Sequence, residues 1–219
     1  MGTFSSIYNS SVGKKFVVGL TGLFLCSFLV VHLTINLFAF KNDGGQMYDT
    51  YSHFMSTNIF IRPIEIVLAL GFLFHIFTSV YLWWMNKLAR PVPYKINASN
   101  ENSTLASRTM FVTGSVIFFF LVVHIRQFFI PTRFSAEELS TYVMVREAFR
   151  NPWYDILYVV AIALLGYHLR HGFQSAFQTF GIKHKKYTLY IEAVGFIFWF
   201  LIPLAYISMP VYFFFTSSY

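Results

Sequence analysis

Ala161-Ile-Ala-Leu-Leu-Gly-Tyr-His-Leu-Arg-His-Gly-Phe-Gln-Ser-Ala-Phe177 decides how this chain is read. The stretch is apolar enough to lie inside a bilayer, yet it carries His168, Arg170 and His171 within four residues. An ionisable side chain at membrane depth is costly and marks a functional site. Neutral imidazole is the least costly such group and a good iron ligand. Three further apolar stretches each hold one deep histidine: His32, His75 and His124. Four helices with one inward histidine each could hold two haems by paired ligation.

Composition agrees with a membrane protein. Hydrophobic residues make up 56% of the 219 and charged residues 11%, roughly half the charge of a soluble domain. The 28 Phe and 14 Tyr fit a bundle with aromatic anchors. Cys26 is the single cysteine, which excludes disulfides, thiolate metal sites and iron–sulfur clusters within this chain. The net charge of +7 falls in short loops between apolar runs. A membrane surface explains that distribution, and nucleic acid does not. Lys14-Lys15 leads into an apolar run too long for a signal peptide, with no small-residue cleavage site, so the run reads as an uncleaved span.

The chain reads as one domain over 1–219, an all-α bundle of five transmembrane helices at about 15–40, 62–87, 108–130, 152–180 and 190–215. Residues 1–13 are expected along the membrane surface. Lys41-Asn-Asp-Gly-Gly45 ends the first segment, and 42–60 reads as an outer loop with a helical turn. Arg62-Pro63 opens the second, Pro131 is expected to stop the third, and Gly181 to cap the fourth. Residues 88–107 form a polar loop, and 132–151 a short amphipathic helix or loop.

Lys and Arg set the orientation. With the N-terminus inside and the C-terminus outside, the inner side holds Lys14, Lys15, Lys87, Arg90, Lys95, Arg108, Lys183, Lys185 and Lys186. The outer side holds Lys41, Arg62, Arg126, Arg133, Arg146 and Arg150. At about 1.5 Å of rise per residue, His32 and His124 lie roughly 26 and 24 Å from the inner ends, and His75 and His168 about 18 Å. Depth therefore pairs His32 with His124 outward and His75 with His168 inward. Two histidines fill both axial positions of a haem iron, which suits electron transfer rather than ligand binding.

A lone buried histidine is usually a hydrogen-bonded core residue; four, one per helix and paired in depth, point to ligation. His168 matches the depth of His75, so His171 is expected to hydrogen-bond a propionate or the backbone. Gly71, Ser79 and Gly172, one turn from ligands, would leave room for a flat porphyrin or serve helix packing. Arg126 and Arg170 are candidate propionate partners, or else they snorkel. His53 reads as a loop residue and His184 as solvated.

The chain resembles the dihaem cytochrome b membrane subunit of five-helix succinate:quinone oxidoreductases. The resemblance rests on Gly19-Leu-Thr-Gly-Leu-Phe-Leu25 leading to His32-Leu33 and Asn36, on Phe74-His-Ile-Phe-Thr-Ser-Val-Tyr81, and on Tyr167-His-Leu-Arg-His-Gly-Phe-Gln-Ser-Ala-Phe-Gln178. It covers nearly the whole chain. It implies two b haems held by His32 with His124 and His75 with His168. It also implies a flavoprotein partner with covalent FAD, an iron–sulfur partner, a quinone (menaquinone) as substrate, and a place in a prokaryotic cytoplasmic membrane and its respiratory chain. A dimer of the complex is compatible with it. The chain would then be the non-flavin, quinone-reactive subunit of succinate dehydrogenase or fumarate reductase. A quinone needs polar groups beside an apolar slot; Tyr48, His53 and Glu65 are the candidates near the outer edge.

Two rivals come from other classes. A cytochrome b of another quinone-linked dehydrogenase would carry helix histidines in a different pattern and order. A non-redox transporter would show inverted repeats and broken mid-membrane helices. The chain reads without an internal repeat.

Overall fold

The computed structural model describes residues 10–89, 101, 103–135, 140–182 and 184–216. All its regular elements are helical, and five of its helices are long and apolar enough to cross a membrane: Ser11–Phe40, Ile61–Leu88, Met110–Phe134, Pro152–Thr179 and Lys185–Thr216. Within them we number α1 (Ser11–Asn36), α3 (Ile61–Leu88), α5 (Met110–His124), α6 (Ile130–Phe134), α8 (Pro152–Thr179), α9 (Lys185–Phe196) and α10 (Ile202–Thr216). The shorter α2 (Gln46–Thr57), α4 (Leu105–Arg108) and α7 (Thr141–Ala148) lie between spans.

Helix starts follow local capping chemistry. The Ser10, Thr104, Ser140 and Asn151 side chains each accept a backbone N–H in the first turn of the helix that follows. His184, expected to be solvated, is also a cap: its Nδ1 accepts from Lys186 N at 3.3 Å, which starts the fifth span at Lys185 rather than near 190. Gly181 takes φ +72° just past α8, the left-handed geometry of a helix stop.

Three expectations need correction. Residues 46–57 form a full helix rather than one turn in a loop. The first helix starts at Ser11, so 10–13 cap and open it instead of lying flat. The third span runs through Pro131 to Phe134. A proline lacks an N–H and crowds the carbonyl four residues back. Here a π turn at Ile125–Phe129 widens the helix just ahead of it, so Pro131 enters as a first-turn residue of α6.

The same device recurs before Pro203. A π turn at Ile197–Leu201 precedes it. Pro203 cannot donate to Trp199, and that carbonyl points at Gly166 of the fourth span, where an added Cβ would lie 2.6 Å from it. Gly166 thus lets the fourth and fifth spans touch at backbone distance.

The fourth span is central. It packs on the first, the third and both halves of the fifth, while the second packs mainly on the first. One core cluster gathers Tyr48, Val145, Phe149, Tyr158, Ile162, Met209 and Phe213 at the end that holds α2 and α7. The other gathers Cys26, Leu169 and Phe173 toward the opposite end. The second and third spans do not pack closely along their length. They meet at one end through the stacked rings of Trp83 and Phe111, and at the other through Glu65 and Arg133, 3.4 Å apart.

Candidate functional site

The four deep histidines come together in two pairs. The rings of His32 (α1) and His124 (α5) have centroids 5.8 Å apart with planes at 90°. Those of His75 (α3) and His168 (α8) are 6.5 Å apart at 73°. Two imidazoles sharing one metal need a metal–nitrogen bond of about 2 Å on each side, which puts ring centres on the order of 6 Å apart. Both pairs have that spacing. It is His168 whose ring faces His75; His171 is half-buried on the next turn.

Each pair has side chains that hold its rings. Thr21 Oγ1 lies 3.2 Å from His75 Nδ1, and Thr113 Oγ1 lies 3.3 Å from His168 Nδ1. Both threonine hydroxyls have carbonyls of their own helices as acceptors, Val17 for Thr21 at 2.8 Å, and Thr109 and Met110 for Thr113 at 3.2 and 3.1 Å. At the other pair His124 Nδ1 meets the Tyr158 hydroxyl at 3.0 Å, and Tyr154 follows at 3.3 Å. His32 stacks on Phe28 and borders Tyr206, whose hydroxyl is tied to Leu29 O at 2.8 Å. Asn36 donates to His32 O at 2.7 Å and accepts from Tyr48 at 3.3 Å.

Small residues open space beside the rings. A Cβ on Gly22 would lie 3.2 Å from His75 Cε1, and one on Gly114 3.5 Å from His168 Cε1. Of the two readings given for Gly71, porphyrin room or helix packing, its surroundings match packing: an added Cβ would meet the Phe24 ring. Among the described residues, a Cβ on Gly172 would have only Met110 Cε near it, at 3.9 Å.

The remaining candidates scatter. Arg170 is exposed and lies over the Trp199 ring, 5.2 Å from its centroid. Arg126 is exposed on the π turn. Glu65 is paired with Arg62 at 3.5 Å and Arg133 at 3.4 Å, joining the second and third spans. Tyr48 is buried; burial, and then the charge of Asp49, push its phenol above the ordinary tyrosine value, so it stays a donor. His53 is exposed on α2. A polar pocket of about 230 Å³ lies beside Tyr154, lined by Gln127, Glu147, Ala148 and Asn151.

Thr21 and Thr113 escaped the sequence reading, and so did the signal that finds them. Thr21-Gly-Leu-Phe-Leu-Cys-Ser-Phe-Leu-Val-Val-His32 and Thr113-Gly-Ser-Val-Ile-Phe-Phe-Phe-Leu-Val-Val-His124 match at seven of twelve positions. The chain therefore does carry an internal repeat, and the earlier reading is corrected. Eleven residues are about three helical turns, so Thr and His share a face about 16 Å apart. The two copies run the same way through the bundle, which is not the inverted arrangement of a transporter.

The family model described as succinate dehydrogenase/fumarate reductase transmembrane subunit matches residues 88–204, somewhat more than half of the chain. No curated protein and no solved structure matches it.

Proposed function

Because the chain belongs to the succinate dehydrogenase/fumarate reductase transmembrane subunit family, we propose that it is the dihaem, quinone-reactive anchor of such a complex. Membership implies association with a flavoprotein and an iron–sulfur subunit. The observation that carries the dihaem reading is the pair of facing histidine couples at 5.8 and 6.5 Å. When bound, two b haems would supply one-electron carriers between the iron–sulfur subunit and a membrane quinone.

The chain's own residues do the rest. His32 with His124, and His75 with His168, would each hold one haem iron through their imidazoles. Gly22 and Gly114 leave the second pair its space. Tyr158 orients His124, and the Phe28 and Tyr206 rings wall in His32. His171 would serve as a propionate or backbone partner. Arg126 would reach a propionate, and Arg170 would have to leave Trp199 to do so.

The N-terminus is assigned to the inner, cytoplasmic side of a prokaryotic membrane on the Lys and Arg bias. That puts His75 and His168 nearer the hydrophilic partners. Arg90, Lys95 and Lys183 of this surface lie outside the described residues. A quinone head-group, menaquinone by the resemblance, would meet the outer edge. Glu65 with its two arginines is half-buried there, whereas Tyr48 is already committed to Asn36. His53 is the exposed alternative.

A pyridine haemochrome assay on the purified complex tests this reading. Two b haems per chain are expected; one or none would defeat the paired-site arrangement.

A further inference from the structure

We infer that the repeated dipeptides Thr21-Gly22 and Thr113-Gly114 are cradles that position His75 and His168, fixing the tautomer in which Nε2 is free for iron. The inference rests on the reading that these two histidines are haem ligands.

The hydrogen-bond directions carry it. Each threonine hydroxyl has a single proton. With that proton on a carbonyl of its own helix, only oxygen lone pairs remain toward the imidazole. An Nδ1 at 3.2 or 3.3 Å from such an oxygen must then be the donor. A neutral imidazole that carries its proton on Nδ1 has its lone pair on Nε2. The neighbouring glycine completes the grip. Cε1 is the ring atom between the two nitrogens, and it is the atom that a Cβ on Gly22 or Gly114 would crowd. Threonine thus holds one nitrogen and glycine yields to the adjoining carbon, and neither contact involves the second nitrogen.

Two independent copies make the same contact. α1 supplies the cradle for a histidine of α3, and α5 supplies it for a histidine of α8. A threonine in an apolar helix ordinarily satisfies its hydroxyl on its own backbone and needs no other partner. That function alone would not place both threonines at the same atom of two ligand candidates, each eleven residues before a third and fourth candidate.

An acceptor on Nδ1–H makes the imidazole a stronger donor to the metal and favours the oxidised iron. The test uses the intact complex, with Thr21→Val and Thr113→Val examined singly by haem count and by redox titration of both haems. Valine keeps the shape and removes the hydroxyl acceptor; at His75 the Val18 backbone remains as a second partner, so the smaller change is expected there. One midpoint potential should move upward in each variant while the other stays in place, and Thr→Ser at either site should leave both near their unmodified values. Loss of one haem in the valine variant with retention in the serine variant would support the same role. No shift, a downward shift, or a serine variant that behaves as valine does would overturn it. His75→Ala separates the two levels of argument: if it keeps two low-spin haems, the ligand reading itself fails, whatever the threonine variants do.

Discussion

His32 and His124 face one another from the first and third spans with ring planes at 90°. If both rings bind one haem iron in this orientation, the two iron d orbitals of π symmetry toward them would be almost equal in energy. Oxidised complex should therefore give strongly anisotropic low-spin electron paramagnetic resonance signals. The 73° of His75 and His168 predicts the same class of signal with less anisotropy. Ordinary rhombic signals from both haems would contradict these ring orientations.

His168 and His171 should separate cleanly. His168→Ala removes the ring that faces His75, and the complex should retain one haem of two. His171→Ala should retain both with low-spin spectra. The opposite pattern in a haem count would exchange their roles.

Gly166→Ala should destabilise the bundle without touching either histidine pair. Its added Cβ would meet the Trp199 carbonyl, a backbone atom that cannot swing aside. Overpacking of this kind costs about 1–3 kcal/mol. A fall in the thermal midpoint of the detergent-solubilised complex checks it, and an unchanged midpoint would show that the two spans are free to part.

Asp49 should hold α7 on α2. It accepts from Ser140 Oγ at 2.6 Å and from Tyr142 N at 2.8 Å. Hydrogen bonds to a charged group contribute about 1.5–3 kcal/mol. Asp49→Ala should speed proteolytic cleavage within 132–151 while leaving haem content intact. Equal cleavage rates in the two proteins would count against this attachment.

The partners should dock on the end that holds the N-terminus. Crosslinks from Lys95 or Lys183 to the iron–sulfur subunit are expected, and docking should weaken with salt where pairs are exposed. Crosslinks from the 132–151 side instead would reverse the order of the two sites and leave the ligand pairs unchanged.

The spans were legible because a bilayer demands long apolar runs, and the pairing of histidines because helical rise converts position into depth. Local backbone detail was not. Pro131 looked like a stop since nothing in its neighbours announces a π turn. Residues 46–57 looked like a loop because α2 lies outside the five spans and shows no apolar run. Thr21 and Thr113 were missed for a chemical reason: a hydroxyl inside an apolar helix normally looks inward to its own carbonyls, and these do that as well. Only the second contact, across to another helix, distinguishes them.

The repeat has a consequence for assembly. The first two spans form one hairpin and the third and fourth another, and each histidine pair takes one ring from each hairpin. Neither hairpin owns a complete site. Whatever joined the rings of one pair would help bring the rings of the second pair into register, so filling one site is expected to favour filling the other, and any binding energy there would add to the packing that already joins the two hairpins.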